Sequence, residues 1–280
     1  FIIVNFNLDE RESVVPNNEV SVHGTNSISF TLFADESEPE LWFVVRQPSF
    51  HVSAAPRGAL SVKSVGVIGA GQMGIGIAFV AAAVAKLPVT VLDKNDEQMR
   101  KGLDFLESIL AKDVKKGKIT EGDKKDALGR IRTTNVIEDF RDADCVIEIP
   151  ALKREIFSSL SRIAKPSAIL ASNTSSISIT KIAAATGRPE NVIGMHFMNP
   201  GGDPVRYLAA RAPGLVFARL FPKLVEVIPG LATSDETERI TVALAEAMGK
   251  TVSRSADVPG FIANRLLMPF INEAVVALQE

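Results

Sequence analysis

A glycine-rich turn between two short apolar runs constrains the fold of this chain more than any other feature. Val65–Ile68 is typical of a buried strand, and Gly69-Ala70-Gly71-Gln72-Met73-Gly74 follows it directly. Residues 75–86 favour a helix, and Val89–Leu92 predicts a second buried strand. Strand, turn, helix and strand in this order predict a βαβ unit within a mostly parallel sheet.

Each glycine of the turn has a separate physical role. Gly69 permits the tight bend, Gly71 lets the backbone approach a pyrophosphate, and Gly74 lets the helix pack closely against the strand. The phosphates then lie at the helix N-terminus, where free N–H groups and the helix dipole favour an anion. We therefore assign cofactor binding to Gly69, Gly71, Gln72, Met73 and Gly74.

An acidic residue ends the second predicted strand. Asp93 lies 24 residues after Gly69, about where a carboxylate would accept hydrogen bonds from an adenosine ribose. The alternative is a glycine-rich turn with Asp93 facing solvent beside a helix start. The complete pattern predicts dinucleotide binding.

Composition excludes several other classes of protein. Hydrophobic residues make up 46% of the chain and charged residues 23%, as in ordinary globular proteins. The net charge of −2 gives no electrostatic case for nucleic acid or an anionic membrane, and no apolar stretch is long enough to span a bilayer. The single cysteine, Cys145, excludes an internal disulfide, and its apolar neighbours predict a buried, inert thiol. We assign no metal-binding residues.

Strand and helix patterns alternate from Ser61 onward, which predicts an α/β fold of the Rossmann type: a doubly wound, mostly parallel sheet with helices on both faces. Residues 1–60 form an atypical extension to which we assign no function. Its later part faintly resembles an organelle transit peptide, and a poorly ordered leader is an equal alternative. Because the chain begins at Phe1 and ends within a predicted helix, we expect a fragment or a processed product.

Polar segments follow two of the predicted strands, where an open parallel sheet binds its ligands. Residues 172–176 follow a strand predicted to end at Ala171, and residues 196–200 follow one predicted to end at Met195. His196 is a candidate general base because an imidazole exchanges a proton near neutral pH. A structural histidine at a strand end is the alternative.

A base requires an orienting partner, and Glu226 is the candidate. It lies within the apolar run of residues 224–228, an unfavourable place for a carboxylate unless it is paired. A His–Glu pair would fix the imidazole tautomer. The alternative places Glu226 on the exposed face of an edge strand.

Five segments together resemble the NAD-dependent L-3-hydroxyacyl-CoA dehydrogenase family of fatty-acid β-oxidation, which includes 3-hydroxybutyryl-CoA dehydrogenase. The resemblance covers about residues 61–280. Its most specific segments are residues 69–74, 172–176, 194–200, 223–228 and 257–265.

This resemblance implies NAD as cofactor, an acyl-CoA substrate and a role for each matching residue. His196 would be the acid/base and Glu226 its partner, while Ser175 and Asn264 would bind the substrate's 3-oxygen or the nicotinamide side. Asp93 would select NAD over NADP, and Glu148 and Asn199 would lie near the nicotinamide. The helical arm of about residues 96–128 would bind coenzyme A through Lys112 and Lys116, although a solvated charged stretch is the alternative.

The resemblance also implies a division into domains. Residues 61–256 would be the NAD-binding domain, and residues 257–280 would be the first helix of a truncated helical domain. That helix would leave Phe261, Leu266, Leu267 and Phe270 without most of their partners. The parent protein would dimerise through the rest of this domain.

Two departures from the family affect the predicted site. Residues 201–222 are an insertion, which would separate His196 from Glu226 if it packed inward, and the segment after Glu148 is shorter than in the family. A catalytically incomplete NAD-binding fragment and a related 3-hydroxyacid dehydrogenase therefore remain as alternatives. The sequence leaves acyl chain length and cellular compartment open.

Overall fold

The computed structural model describes residues 60–115, 117, 119–149, 153–198 and 224–279, together with the backbone of three short strands nearer the N-terminus. The chain forms two compact units, Phe1–Gly58 and Ala59–Glu280. In the first unit the three strands form an antiparallel sheet with β3 at its centre. These strands are β1 (Asn5–Phe6), β2 (Ser29–Ala34) and β3 (Leu41–Arg46).

An eight-stranded sheet forms the frame of the second unit, within its described residues, in the order β6-β5-β4-β7-β8-β9-β10-β11. All neighbouring strands are parallel except β9 and β10, which are antiparallel. The strands are β4 (Val65–Ile68), β5 (Val89–Leu92), β6 (Ile131–Thr134), β7 (Cys145–Glu148), β8 (Ile169–Ser172), β9 (Val192–Phe197), β10 (Leu224–Pro229) and β11 (Thr251–Arg254).

Helices connect these strands. The first helix continues into a π-helical segment at Val80–Val84, and short 3-10 helices occupy Ile137–Phe140 and Pro189–Asn191. The α-helices are α1 (Gln72–Phe79), α2 (Asp96–Lys115), α3 (Glu121–Gly129), α4 (Lys153–Ile163), α5 (Ile179–Ala183), α6 (Asp235–Ala247) and α7 (Ala263–Ala277).

Alternate residues of each central strand enter cores on opposite faces of the sheet. Cys145 and Ile147 of β7 lie in the core that includes α1, whereas Val146 lies in the core that includes α4 and α5. Every residue of this strand is buried, as expected when helices cover both faces. Strands β4 to β9, counted 1 to 6 in chain order, lie in the order 3-2-1-4-5-6 that is typical of doubly wound folds. This order confirms the predicted Rossmann-type α/β class.

Two strands at the sheet edges were absent from the predicted elements. Ile131–Thr134 and Thr251–Arg254 carry exposed polar side chains and lack the apolar run by which the central strands are recognised. Their positions depend on pairing with β5 and β10 rather than on their own composition.

Candidate active site

The glycine turn after β4 has the geometry that each glycine was expected to provide. Gly69 has a φ of 105°, which side-chain-bearing residues rarely adopt. A Cβ on Gly74 would lie 1.7 Å from the carbonyl oxygen of Gly69, so only glycine fits there. Helix α1 begins at Gln72 without a side-chain cap, and a Cβ on Gly71 would meet no atom within 4 Å. Open space therefore faces uncapped helix amides, an arrangement that fits a pyrophosphate.

Asp93 lies beside this turn. Its Oδ2 accepts a hydrogen bond of 2.8 Å from the Ala70 amide, and its Oδ1 accepts one of 3.0 Å from the Asn95 amide. A carboxylate can accept about four hydrogen bonds, so lone pairs remain for ribose hydroxyls. A cavity of about 260 Å³ opens between the turn and α2, with Gln98 and Phe105 among the residues that line it.

His196 and Glu226 lie directly opposite each other in the antiparallel pair of β9 and β10. Side chains opposite one another in such a pair project from the same face of the sheet. Their Nδ1 and Oε2 atoms are 2.8 Å apart, and both residues are buried. The predicted position of His196 just after a strand is therefore wrong, because β9 extends through Phe197. Placement of Glu226 on an exposed edge strand is also wrong, because β10 lies between β9 and β11.

The second oxygen of Glu226 is held by backbone. Its Oε1 accepts hydrogen bonds of 2.9 Å from the Ile262 amide and 2.8 Å from the Ala263 amide. Burial alone would raise the pKa of Glu226, but the hydrogen bonds from His196, Ala263 and Ile262 outweigh it and bring the pKa below its ordinary value. Because an ionised carboxylate only accepts, Nδ1 of His196 must donate in this hydrogen bond, and in the neutral imidazole Nε2 then carries the lone pair.

The loop after β8 and the start of α7 both adjoin this pair. The Nδ2 of Asn264 is 3.4 Å from the Ser175 carbonyl oxygen. Asn173 accepts a 2.7 Å hydrogen bond at Oδ1 from the amide of Phe197, the residue that follows His196. The structure thus brings four predicted site residues together at one end of the sheet: His196, Glu226, Ser175 and Asn264.

Glu148 ends β7 and is fully buried. Its Oε2 accepts hydrogen bonds of 2.8 Å from Lys153 Nζ and 3.1 Å from Ser172 Oγ. Among the described residues, its Oε1 has no hydrogen-bond partner. Burial raises the pKa of Glu148, while the bonds from Lys153 and Ser172 oppose that rise. A cofactor approaching Glu148 would therefore meet a carboxylate that already holds a lysine.

Sequence reasoning missed two residues that hold this region together. Lys153 opens α4 five residues after Glu148, and the pairing of an isolated acid at a strand end with a nearby cation was the available signal. Asp257, which follows β11, binds residues 178–180. No local sequence pattern indicates the contacts of Asp257 with residues 178–180, because these residues are 77 to 79 positions away along the chain.

Some predicted residues have no described contacts. Lys112 is exposed in the last turn of α2. Asn199, Lys116 and the insertion at residues 201–222 lie outside the described residues.

Cys145 is buried, as expected, and burial raises the pKa of its thiol to about 12. The described residues contain no helix long and apolar enough to cross a membrane. Within the same residues, no group of three or more His, Cys, Asp or Glu side chains could hold a metal ion.

The strand order and the glycine turn define a dinucleotide-binding protein of the Rossmann class. The sequence model of the 3-hydroxyacyl-CoA dehydrogenase NAD-binding domain matches residues 64–202. A probable 3-hydroxybutyryl-CoA dehydrogenase of Bacillus subtilis is 48% identical over 225 residues, which cover 79% of this chain and 72% of that protein. The chain belongs to the 3-hydroxyacyl-CoA dehydrogenase family and carries its NAD-binding domain.

Two further similarities extend this result. The crystal structure of (S)-3-hydroxybutyryl-CoA dehydrogenase from Ralstonia eutropha has a TM-score of 0.67 and 41% identity, covering 78% of this chain and 72% of that one. The fatty acid oxidation complex subunit alpha of Acinetobacter baylyi is 37% identical over 80% of this chain, but the match covers only 29% of that larger protein.

Proposed function

We propose that this protein is an NAD-dependent dehydrogenase that interconverts L-3-hydroxyacyl-CoA and 3-ketoacyl-CoA. The buried pair of His196 and Glu226, joined at 2.8 Å, is the observation that carries this proposal. The relatives named 3-hydroxybutyryl-CoA dehydrogenase support a short acyl chain as the first substrate to test.

The proposed chemistry requires one proton to leave the 3-hydroxyl as hydride leaves C3. The free Nε2 of His196 takes this proton, and the adjacent Glu226 carboxylate stabilises the resulting imidazolium. Bound NAD⁺ supplies the hydride acceptor. In the reverse direction Nε2 returns the proton to the 3-oxygen.

The remaining site residues bind and orient the substrate in this proposal. Ser175 and Asn264 would hold the 3-oxygen, and the 3.4 Å contact between Asn264 Nδ2 and the Ser175 carbonyl oxygen supports a shared role. Gly69 to Gly74 and Asp93 would hold the dinucleotide, and Glu148 and Asn199 are assigned to its nicotinamide side. Exposed Lys112, together with Lys116, would bind phosphate groups of coenzyme A.

The intact pair supports activity over the alternative of a catalytically incomplete fragment. That alternative depended in part on the insertion at residues 201–222 separating His196 from Glu226. The two residues nevertheless meet across adjacent strands.

We also propose that residues 257–280 begin a second, helical domain and that the whole protein is a homodimer. Apolar side chains exposed on α7, such as Leu266 at 62% and Phe270 at 72%, support a surface that is covered in the assembly.

The activity test is acetoacetyl-CoA-dependent oxidation of NADH, followed beside NADH binding by fluorescence. We expect His196→Gln to lower kcat by about 10²–10⁴-fold, because the proton acceptor is lost, while NADH affinity changes little. Arg162→Gln, on the exposed surface of α4, is the control and should keep wild-type turnover. Full activity in His196→Gln would contradict the assigned role.

A further inference from the structure

A strained turn precedes α7. Gly260 has a φ of 77° and Phe261 has a φ of 50°, so two consecutive residues lie in the left-handed region. A bulky L-residue rarely adopts that conformation, and such residues persist only where their surroundings impose it. The Phe261 ring is 1% exposed, and its centroid lies 5.9 Å from that of His196. The residue with the strained backbone, Phe261, thus packs beside His196, the predicted base.

Asp257 fixes one end of this turn. Its Oδ1 accepts a 2.8 Å hydrogen bond from the Ile179 amide. Its Oδ2 accepts from Ser178 Oγ at 2.8 Å, and from the amide and Oγ1 of Thr180 at 2.9 and 2.7 Å. Four donors on one carboxylate tie the turn to the start of α5, which follows the loop that carries Ser175.

The other end of the turn delivers two amides to Glu226. Helix α7 has no side-chain cap of its own, and the Ile262 and Ala263 amides donate to Glu226 Oε1 instead. A carboxylate from β10 therefore caps a helix that lies 36 residues further along the chain. Any movement of the turn would move these amides away from Glu226.

We propose that residues 257–261 are a positioning element for catalysis: Asp257 and the strained Phe261 hold the α7 amides against Glu226, which in turn orients His196. Asp257 and Phe261 are positioning residues, since neither is placed to contact the reacting atoms. This inference rests on the proposed function for its kinetic consequence. A purely structural tether would stabilise the fold without a specific effect on turnover.

The first test compares two carboxylates that both bind backbone amides. In Asp257→Asn, either orientation of the new side chain places its NH₂ group against at least one backbone N–H donor, that of Ile179 or that of Thr180, so the turn should shift. Asp144→Asn is the matched control, because Asp144 accepts 2.7 and 2.9 Å hydrogen bonds from the Lys63 and Ser64 amides and also pairs with Lys165. Asp144 lies at the amino end of β7, whereas the site lies beyond the carboxyl ends of the strands.

We expect Asp257→Asn to lower kcat by about 10- to 100-fold, with KM and NADH affinity within about threefold, because small misplacements near a reacting centre have effects of this size. Asp144→Asn should lower the melting temperature comparably and keep kcat within about twofold. Equal kcat in the two variants would overturn the inference.

A milder pair of variants guards against misfolding. Thr180→Val removes the hydroxyl that donates to Asp257 and accepts from the Leu231 amide, and Thr180→Ser retains both hydrogen bonds. We expect Thr180→Val to lower kcat about two- to tenfold, because the hydrogen bond to Asp257 is lost, and Thr180→Ser to keep kcat near the wild-type value. Identical kcat values in the two variants would count against the positioning role.

The NMR resonance of the His196 Nδ1 proton separates this inference from the proposed function. It should shift or disappear in Asp257→Asn and stay unchanged in Asp144→Asn. If wild-type protein shows no turnover, the proposed function has failed, and this resonance alone decides whether the turn positions the pair. An unchanged resonance in Asp257→Asn would overturn the inference.

Discussion

Glu226 and Glu148 are both fully buried carboxylates near the same end of the sheet, yet their surroundings affect ionisation in opposite directions. Glu226 accepts hydrogen bonds on both oxygens, from one imidazole and two backbone amides, and its pKa is lowered. Glu148 binds a lysine, but its second oxygen has no partner among the described residues, and its pKa is raised. Hydrogen bonds to both oxygens thus outweigh burial at Glu226, whereas a lysine and a hydroxyl on one oxygen do not outweigh it at Glu148.

Replacement of Glu226, the carboxylate with hydrogen bonds on both oxygens, by glutamine should have the largest effect on turnover. In Glu226→Gln, the side-chain oxygen can still accept from the α7 amides, so the amide nitrogen faces His196. Nδ1 must then accept, and Nε2 carries the proton that it should be free to take up. We expect kcat to fall on the order of 10³–10⁴-fold with NADH affinity retained. Steady-state kinetics of the variant test this expectation, and a loss below tenfold would contradict it.

Removal of the Lys153 cation should destabilise the fold at the second carboxylate, Glu148. Lys153→Met leaves the buried Glu148 without its charged partner, and we expect the free energy of unfolding to fall by about 3 kcal/mol. The double variant Lys153→Met/Glu148→Gln should recover much of that loss, since no buried charge remains. Denaturant unfolding of the wild type, Lys153→Met, Glu148→Gln and the double variant gives the coupling energy. No recovery in the double variant would show that lost packing of Lys153 is responsible.

The pH dependence of stability should have opposite signs at the two sites. The folded pKa of Glu226 is below its ordinary value of 4.5, so its ionisation stabilises the fold at higher pH, and that contribution disappears as pH falls through the folded pKa. The folded pKa of Glu148 is above 4.5, so protonated Glu148 favours the fold at low pH, and this contribution disappears as pH rises through the folded pKa.

Unfolding free energies of wild type, Glu226→Gln and Glu148→Gln from roughly pH 6 to pH 3 test this difference. The stability advantage of wild type over Glu226→Gln should shrink as pH falls. Its advantage over Glu148→Gln should instead increase. Parallel changes in the two comparisons would mean that the surroundings do not distinguish the carboxylates.

The smallest effect is expected at Cys145, which is buried on β7 three residues before Glu148. With a thiol pKa of about 12, the group stays protonated and unreactive at pH 8. We expect iodoacetamide to label denatured protein but not native protein, and Cys145→Ala to keep kcat within about twofold. Rapid native labelling, measured by mass spectrometry, would show that β7 opens readily.

Local parts of the fold could be predicted from sequence, because their determinants are adjacent residues. The glycine turn and the central strands follow from short apolar runs and from glycines at fixed spacing. The edge strand Thr251–Arg254 lacked such a run. Phe261 was expected to lose most of its partners, but it is 1% exposed, since the turn before α7 directs its ring inward.

The candidate site was predictable only in part. His196 and Glu226 were identified by residue type and by family resemblance, but their alignment depends on antiparallel strand pairing. The Lys153 pair and the Asp257 contacts were missed because they depend on tertiary geometry. Contacts of that kind leave no periodic pattern in the sequence, so only the folded chain reveals them.

The register of β9 against β10 also bears on how this chain tolerates change. His196 and Glu226 are 30 residues apart in sequence, yet they are brought together because they are paired residues of the β9–β10 ladder. Residues could therefore be added to or removed from the connection between these strands without altering the pair, provided that the ladder forms. A one-residue deletion inside either strand would instead turn one member of the pair to the opposite face. Insertions and deletions that preserve activity should consequently be tolerated between β9 and β10 and not within either strand.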